Sequence, residues 1–189
     1  GGIAIPVVDS VKFDGKFDEW PADSLIPQWA LKGVAKGSKA DIRMAFSPKG
    51  LLVGVDVKGS RVLVGDPTWF WKQDCLEVFI ERLGDRTWRG EPKSMHQFWI
   101  CPLVGDKRAY LGRWKMKDEI KDTLYDIKTE SYCAKTADGY VLEVLIPKEN
   151  IGDYCMDKGF KYGAAMVLSV HGPNSDVELS WPMGKSEGI

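Results

Sequence analysis

The sequence predicts an all-β fold: a single antiparallel β-sandwich, jelly-roll or immunoglobulin-like, with one or two short helical turns. Three observations predict it. Short stretches of alternating apolar and polar residues recur along the chain, the period-two signature of strands with one buried face. Gly, Pro, Asn and Asp punctuate them at intervals of ~8–12 residues, as in sandwiches and barrels. Amphipathic helical patterns are thin, and no repeat or low-complexity linker divides the chain, so residues 1–189 read as one domain.

The elements follow in order. Residues 41–47 and 51–57 alternate around Pro48-Lys49-Gly50 and read as a hairpin. Residues 74–81 form the next strand. Residues 95–101 form another, stopped by Pro102 because proline lacks the ladder's N–H donor. Strands are expected at 107–114, 124–134, 140–146, 162–170 and 177–181, with turn chemistry at Ala137-Asp-Gly139 and His171-Gly-Pro-Asn-Ser175. The helical turns are placed at 115–121 and 148–154.

Bulk properties narrow the function. With 26 basic and 27 acidic residues the net charge is −1, which argues against a nucleic-acid partner, since such a partner requires a basic face. No apolar run of about 18 residues exists, so membrane insertion is not expected. Cys75, Cys101, Cys133 and Cys155 lack zinc-ligand spacing, and four thiols leave three disulfide connectivities open. No nucleophile elbow, metalloprotease helix or phosphate loop is present. Asp74 and Glu77, three apart on a strand, point to opposite faces and make a poor catalytic pair. Asp74 reads instead as a carboxylate capping backbone N–H groups at the strand start. Asp14 and Asp18, with Glu19, are weak candidates for a structural calcium site, and their spacing fits no loop template. No other cofactor is expected.

The unusual feature is eight tryptophans, two of them in the stretch Trp69-Phe-Trp-Lys-Gln-Asp-Cys-Leu-Glu77. An indole presents a flat apolar face and one N–H donor. A pyranose ring has an apolar C–H face and a rim of hydroxyls, so the two match. Trp69, near Pro67, is read as anchoring its loop. Alternation puts Leu76, Val78 and Ile80 on the core face and Cys75, Glu77 and Phe79 on the other. On the next strand Phe98 and Ile100 face the core, while Gln97, Trp99 and Cys101 face away. Pairing Glu77 with Trp99 would bring Trp71, Glu77, Gln97 and Trp99 into one ligand-binding neighbourhood. It would also put Cys75 opposite Cys101, within reach of a cross-strand disulfide.

Several blocks, in order, resemble the family 9 carbohydrate-binding modules. Lys12-Phe-Asp-Gly-Lys-Phe-Asp-Glu-Trp20 is similar to the segment that opens that domain. Trp71-Lys-Gln-Asp-Cys-Leu-Glu-Val-Phe79 resembles its Trp-x-x-Asp-x-x-Glu-x-Phe signature. His96-Gln-Phe98, Gly139-Tyr-Val-Leu-Glu-Val-Leu-Ile-Pro147 and Leu179-Ser-Trp181 resemble later strands. The resemblance implies a sandwich that binds sugars without cleaving them, with Trp71 stacking, Glu77 accepting from hydroxyls, and Trp20 and Trp181 in the core. It also implies a secreted, extracellular or periplasmic setting, a plant-type polysaccharide such as xylan or cellulose as ligand, and an attached glycoside hydrolase as partner. The chain departs from the family at Trp99, where members carry arginine, and after Trp181, where no second stacking tryptophan follows.

Three other readings compete. A related sandwich could hold haem for electron transfer, with Met95, His96 and His171 as candidate axial ligands. A glycosidase or esterase could assemble its site from scattered carboxylates. A protein-interaction domain needs no ligand pocket.

Overall fold

A computed structural model of the chain describes residues 3–27, 36–82, 95–116, 120–173 and 175–181. Its strands are β1 (Lys39–Ser47), β2 (Gly50–Lys58), β3 (Cys75–Arg82), β4 (His96–Leu103), β5 (Arg108–Trp114), β6 (Ser131–Lys135), β7 (Gly139–Pro147), β8 (Tyr162–His171) and β9 (Asp176–Trp181). Helical structure among the described residues is limited to 3-10 turns at Ala22–Ser24, Pro67–Lys72 and Lys148–Asn150. Two antiparallel sheets form, in the orders β1-β2-β7-β6 and β5-β4-β3-β8-β9. The fold is the expected β-sandwich.

The core lies between the sheets because the alternating residues put one apolar row from each sheet inward. Ile42, Val53, Val55, Leu142 and Val144 come from the first sheet, and Leu76, Val78, Phe98, Ile100 and Leu168 from the second. Trp181 joins this core. The outward face of the four-stranded sheet is covered by the N-terminal segment, through Val11 and Trp20 against Ala45, Leu52 and Leu145. Glu143 is fully buried beneath that segment, where it accepts hydrogen bonds from the Trp20 indole (2.8 Å) and from the Gly15 amide. The segment's Asp-Gly and Trp therefore meet a carboxylate on β7, which accounts for the paired motifs at 14–20 and 139–147. One outward sheet face is closed in this way. The outward face of the five-stranded sheet carries the features below.

Some boundaries differ from expectation. Strand β4 runs past Pro102, which pairs with Ala109 of β5. Pairing with β3 is recorded only as far as Leu76 opposite Ile100. Pro102 thus lies beyond that ladder, where its missing N–H costs little. Of residues 124–134 only the last part is strand; Leu124 makes an isolated bridge to Arg113. The turn expected at 115–121 lies partly outside the described residues, and the Met116 amide donates to the Ile120 carbonyl, the reverse of the helical sense. The hairpin loop of β1 and β2 is reduced to Pro48-Lys49, with Ser47 opposite Gly50. Gly50 has φ +149°, and a Cβ there would meet the Ile146 carbonyl oxygen at 2.0 Å, so only glycine fits.

Candidate functional site

Register determines which side chains meet. Strand β3 pairs with β4 with Glu77 opposite Trp99 and Phe79 opposite Gln97, the pairing considered from the sequence. The Gln97 Nε2 donates to Glu77 Oε1 at 2.9 Å. Glu77 is half-buried. Burial raises its carboxyl above the ordinary glutamate range; the Gln97 hydrogen bond opposes this and the nearby charge of Glu178 on β9 adds to it. The pair leaves the second carboxylate oxygen of Glu77 to accept from a ligand.

Residues 67–72 bring the tryptophans to this face. Asp66 caps the 3-10 turn by accepting from the Thr68 amide at 2.9 Å and hydroxyl at 2.8 Å, and Pro67 occupies the first turn position, where no N–H is needed. Gln73, buried, closes the loop from both sides: it accepts from the Gly65 amide and donates to the Asp66 carbonyl. Asp74, fully buried, accepts from the Ser60 hydroxyl (2.5 Å), the Leu63 amide (3.3 Å), the His171 amide (3.1 Å) and the His171 ring (2.8 Å). That is the capping role expected for it. The tether holds the preceding loop in a strained form. Val62 is β-branched yet sits at φ +55°, a conformation that costs about 1–2 kcal/mol.

Across the turn, alternate aromatic residues face opposite ways. Phe70 points down and stacks on Trp99, with centroids 4.9 Å apart and planes at 22°. Trp69 and Trp71 point out and are 51% and 53% exposed, with centroids 5.4 Å apart. Beneath them Phe70, Trp99 and Tyr110 form a buried cluster with Cys75, Cys101 and the edge of Trp114. Tyr125, 57% exposed, meets Trp99 edge-on at 6.0 Å. Exposed aromatic faces are thus held up by a packed aromatic base.

Trp99 requires a correction. It was expected to touch ligand, yet it is 0% exposed. It does face away from the main core, but the turn folds over it. Its indole N–H donates to the Pro67 carbonyl at 2.9 Å, so it supports the turn from below. Gly112, opposite Trp99 on β5, makes the room: a Cβ there would lie 2.1 Å from the indole. Trp69, expected to anchor its loop, has half its surface open. Tyr125 was missed altogether; it belongs to an irregular segment, where alternation gives no guide to exposure.

The other expectations resolve as follows. Cys75 and Cys101 face each other beyond the Leu76–Ile100 pair, and both are buried free thiols. Asp14 accepts from the Lys16 amide at 3.0 Å and Glu19 from the Lys12 amide at 2.7 Å. These carboxylates serve backbone turns, and among the described residues no group of three or more acidic, histidine or cysteine side chains gathers around a metal position. The Asp14 and Asp18 donor set therefore does not fit calcium. For haem, the histidines lie at opposite ends of the five-stranded sheet. His96 accepts from the Gly152 amide at 2.9 Å, and His171 is held by Asp74. His96 aligns through Ile80 with Ala164, and His171 lies seven residues further along β8, roughly 23 Å away at strand rise. They do not form an axial pair. Trp29, Trp88 and the tail after Trp181 lie outside the described residues.

No protein-family model and no curated protein matches the chain. Solved structures do. A family 9 carbohydrate-binding module from Caldicellulosiruptor kristjanssonii in complex with glucose superposes with a TM-score of 0.57 at 15% identity, covering 98% of this chain and 87% of that one. The structure described as that organism's family 9 module with cellotriose gives 0.56 at 15% identity, over 97% and 85%. A candidate carbohydrate-binding protein from Bacteroides uniformis gives 0.55 at 16% identity, over 84% and 80%. The two-sheet architecture and these superpositions agree: the chain has a fold like that of the family 9 carbohydrate-binding modules.

Proposed function

We propose that this chain is a non-catalytic carbohydrate-binding domain whose ligand stacks on Trp71 and hydrogen-bonds to Glu77 and Gln97. The observation that carries the proposal is the pair of half-exposed indoles on a buried aromatic base whose Trp99 lies opposite Glu77 in the sheet, with Glu77 and Gln97 forming a polar pair on the same face. An exposed tryptophan removes its own apolar face and the sugar's from water on stacking, at about 25 cal/mol per Å². A carboxylate accepting from a hydroxyl adds a charge-assisted bond, roughly 1.5–3 kcal/mol when desolvated. Set against ordering costs, a few such terms give affinities of roughly micromolar to millimolar. That strength suits a domain that concentrates a partner on a polymer. The ligand class we assign is a plant-type polysaccharide such as xylan or cellulose, or its oligosaccharides. The setting we assign is a secreted polysaccharide-degrading system, with a glycoside hydrolase as the attached partner. The module complexes with glucose and cellotriose support this reading through the shared fold.

The test is a tryptophan-fluorescence titration against xylan, cellulose, mannan and their short oligosaccharides, run on the protein and on Trp71→Ala. We expect a saturable change with one glycan class and its loss in the variant, with the melting temperature nearly unchanged because Trp71 is half-exposed. A flat response from the folded protein across the whole panel would overturn the proposal, and so would undiminished binding by the variant.

A further inference from the structure

Lys72 ends the 3-10 turn that presents the tryptophans, and its ammonium sits 4.8 Å from the centroid of the exposed Trp69 ring. The charge is unpaired among the described residues. Asp66, which opens the same turn, is already engaged in capping it through Thr68. A cation above an exposed indole is held only weakly, so an anion can recruit it with little loss. Its long stem keeps the charge within reach of whatever lies on the neighbouring Trp71 face, 5.4 Å from Trp69 between centroids.

From this juxtaposition we infer that the site takes an acidic sugar, a uronate-bearing glycan whose carboxylate pairs with Lys72 while a ring stacks on Trp71. This rests on the carbohydrate-binding reading above. The chemistry divides between two sides of the patch. Glu77, an acceptor, meets neutral hydroxyls and would repel a carboxylate placed beside it. Lys72, a donor with three N–H groups, has no use for a C–H face but matches a carboxylate at the ring edge. The exposed pair should therefore tune which glycan binds more than whether one binds, and should weaken as salt screens it.

The experiment compares length-matched xylo-oligosaccharides with and without a glucuronate substituent, and galacturonate oligomers with neutral galactose oligomers. Each pair is titrated calorimetrically against the protein, Lys72→Met and Lys72→Arg, at low and high salt. The expected result is a several-fold preference for the uronate member of a pair. It should shrink towards equality in Lys72→Met and at high salt, and return in Lys72→Arg. Equal binding of both members, or a preference that survives Lys72→Met, overturns the acidic-sugar inference and leaves the carbohydrate-binding reading in place. Failure of every acidic and neutral glycan to bind the folded protein overturns both.

Discussion

At the residue scale, the same side chain has opposite uses within one patch. Trp71 and Trp99 are both indoles on the outward side of the five-stranded sheet. Trp71 stands above the turn and is half-exposed, whereas Trp99 lies beneath it, stacked on Phe70 and bonded to the Pro67 carbonyl. Removing each should therefore have separable effects. Trp99→Ala would open a cavity under the turn and leave the Pro67 carbonyl without its donor. We expect a loss of about 3–5 kcal/mol in unfolding free energy, measured by chemical denaturation, whereas Trp71→Ala should cost little stability. A Trp99→Ala protein as stable as the parent would show that the turn does not depend on its base. Glu77 is also split between two demands. Its carboxyl is partly desolvated and held by Gln97 on one oxygen, leaving the other for a partner.

At the element scale, the patch depends on three strands and one turn fitting together. Strand β3 supplies Glu77, β4 supplies Gln97 and Trp99, and β5 contributes an absence of side chain at Gly112. The turn is held by Asp74, which ties the loop before it to β8 through four hydrogen bonds. Gly112 has no need of unusual backbone angles; its reason is the indole lying across it. Gly112→Ala would drive a methyl into Trp99 from a backbone position that cannot yield, an overpacking cost of about 1–3 kcal/mol. The expected readout is a lower denaturation midpoint together with an altered tryptophan emission, because the displaced indole carries Phe70 and the turn with it. An unchanged midpoint would mean that β5 shifts freely, contrary to its pairing with β4 over residues 108–114.

At the scale of the whole molecule, the two sheets are joined by apolar packing and by a few polar contacts across the sandwich. One such contact involves a histidine whose charge state decides whether it forms. His96, buried on β4, accepts from the amide of Gly152, which follows the turn after β7 in the other sheet. Accepting requires a neutral imidazole. Burial first, and then the Arg113 charge, lower its pKa below the ordinary value of 6.5, with Asp153 opposing. The folded protein therefore binds this proton less readily than the unfolded chain. Its contribution is present above pH 6.5 and declines as pH falls below it. Melting temperatures should drop on acidification through that range, and the drop should be smaller in His96→Gln, which keeps an acceptor but does not charge. An equal drop in both proteins would assign the pH response elsewhere.

The strands and their inward faces were legible in the sequence because each depends on local alternation. Leu76, Val78, Ile80, Phe98 and Ile100 had to face one way, which put Glu77 and Trp99 on the same outward face; their pairing was one register among those that alternation permits. The turn at 67–72, the burial of Trp99 and the exposure of Tyr125 were not legible. Alternation says which side of a sheet a residue occupies, and the packing of a distant segment decides whether that side is covered. Here the covering segment is Pro67–Lys72, reaching back over a residue some thirty positions later in the chain. By itself the sequence determined a β-sandwich with an aromatic and acidic outward row, because period-two burial is a property of the strand. Only the tertiary structure decided which members of that row support the site and which meet solvent, because exposure is set by contacts between segments far apart in the chain.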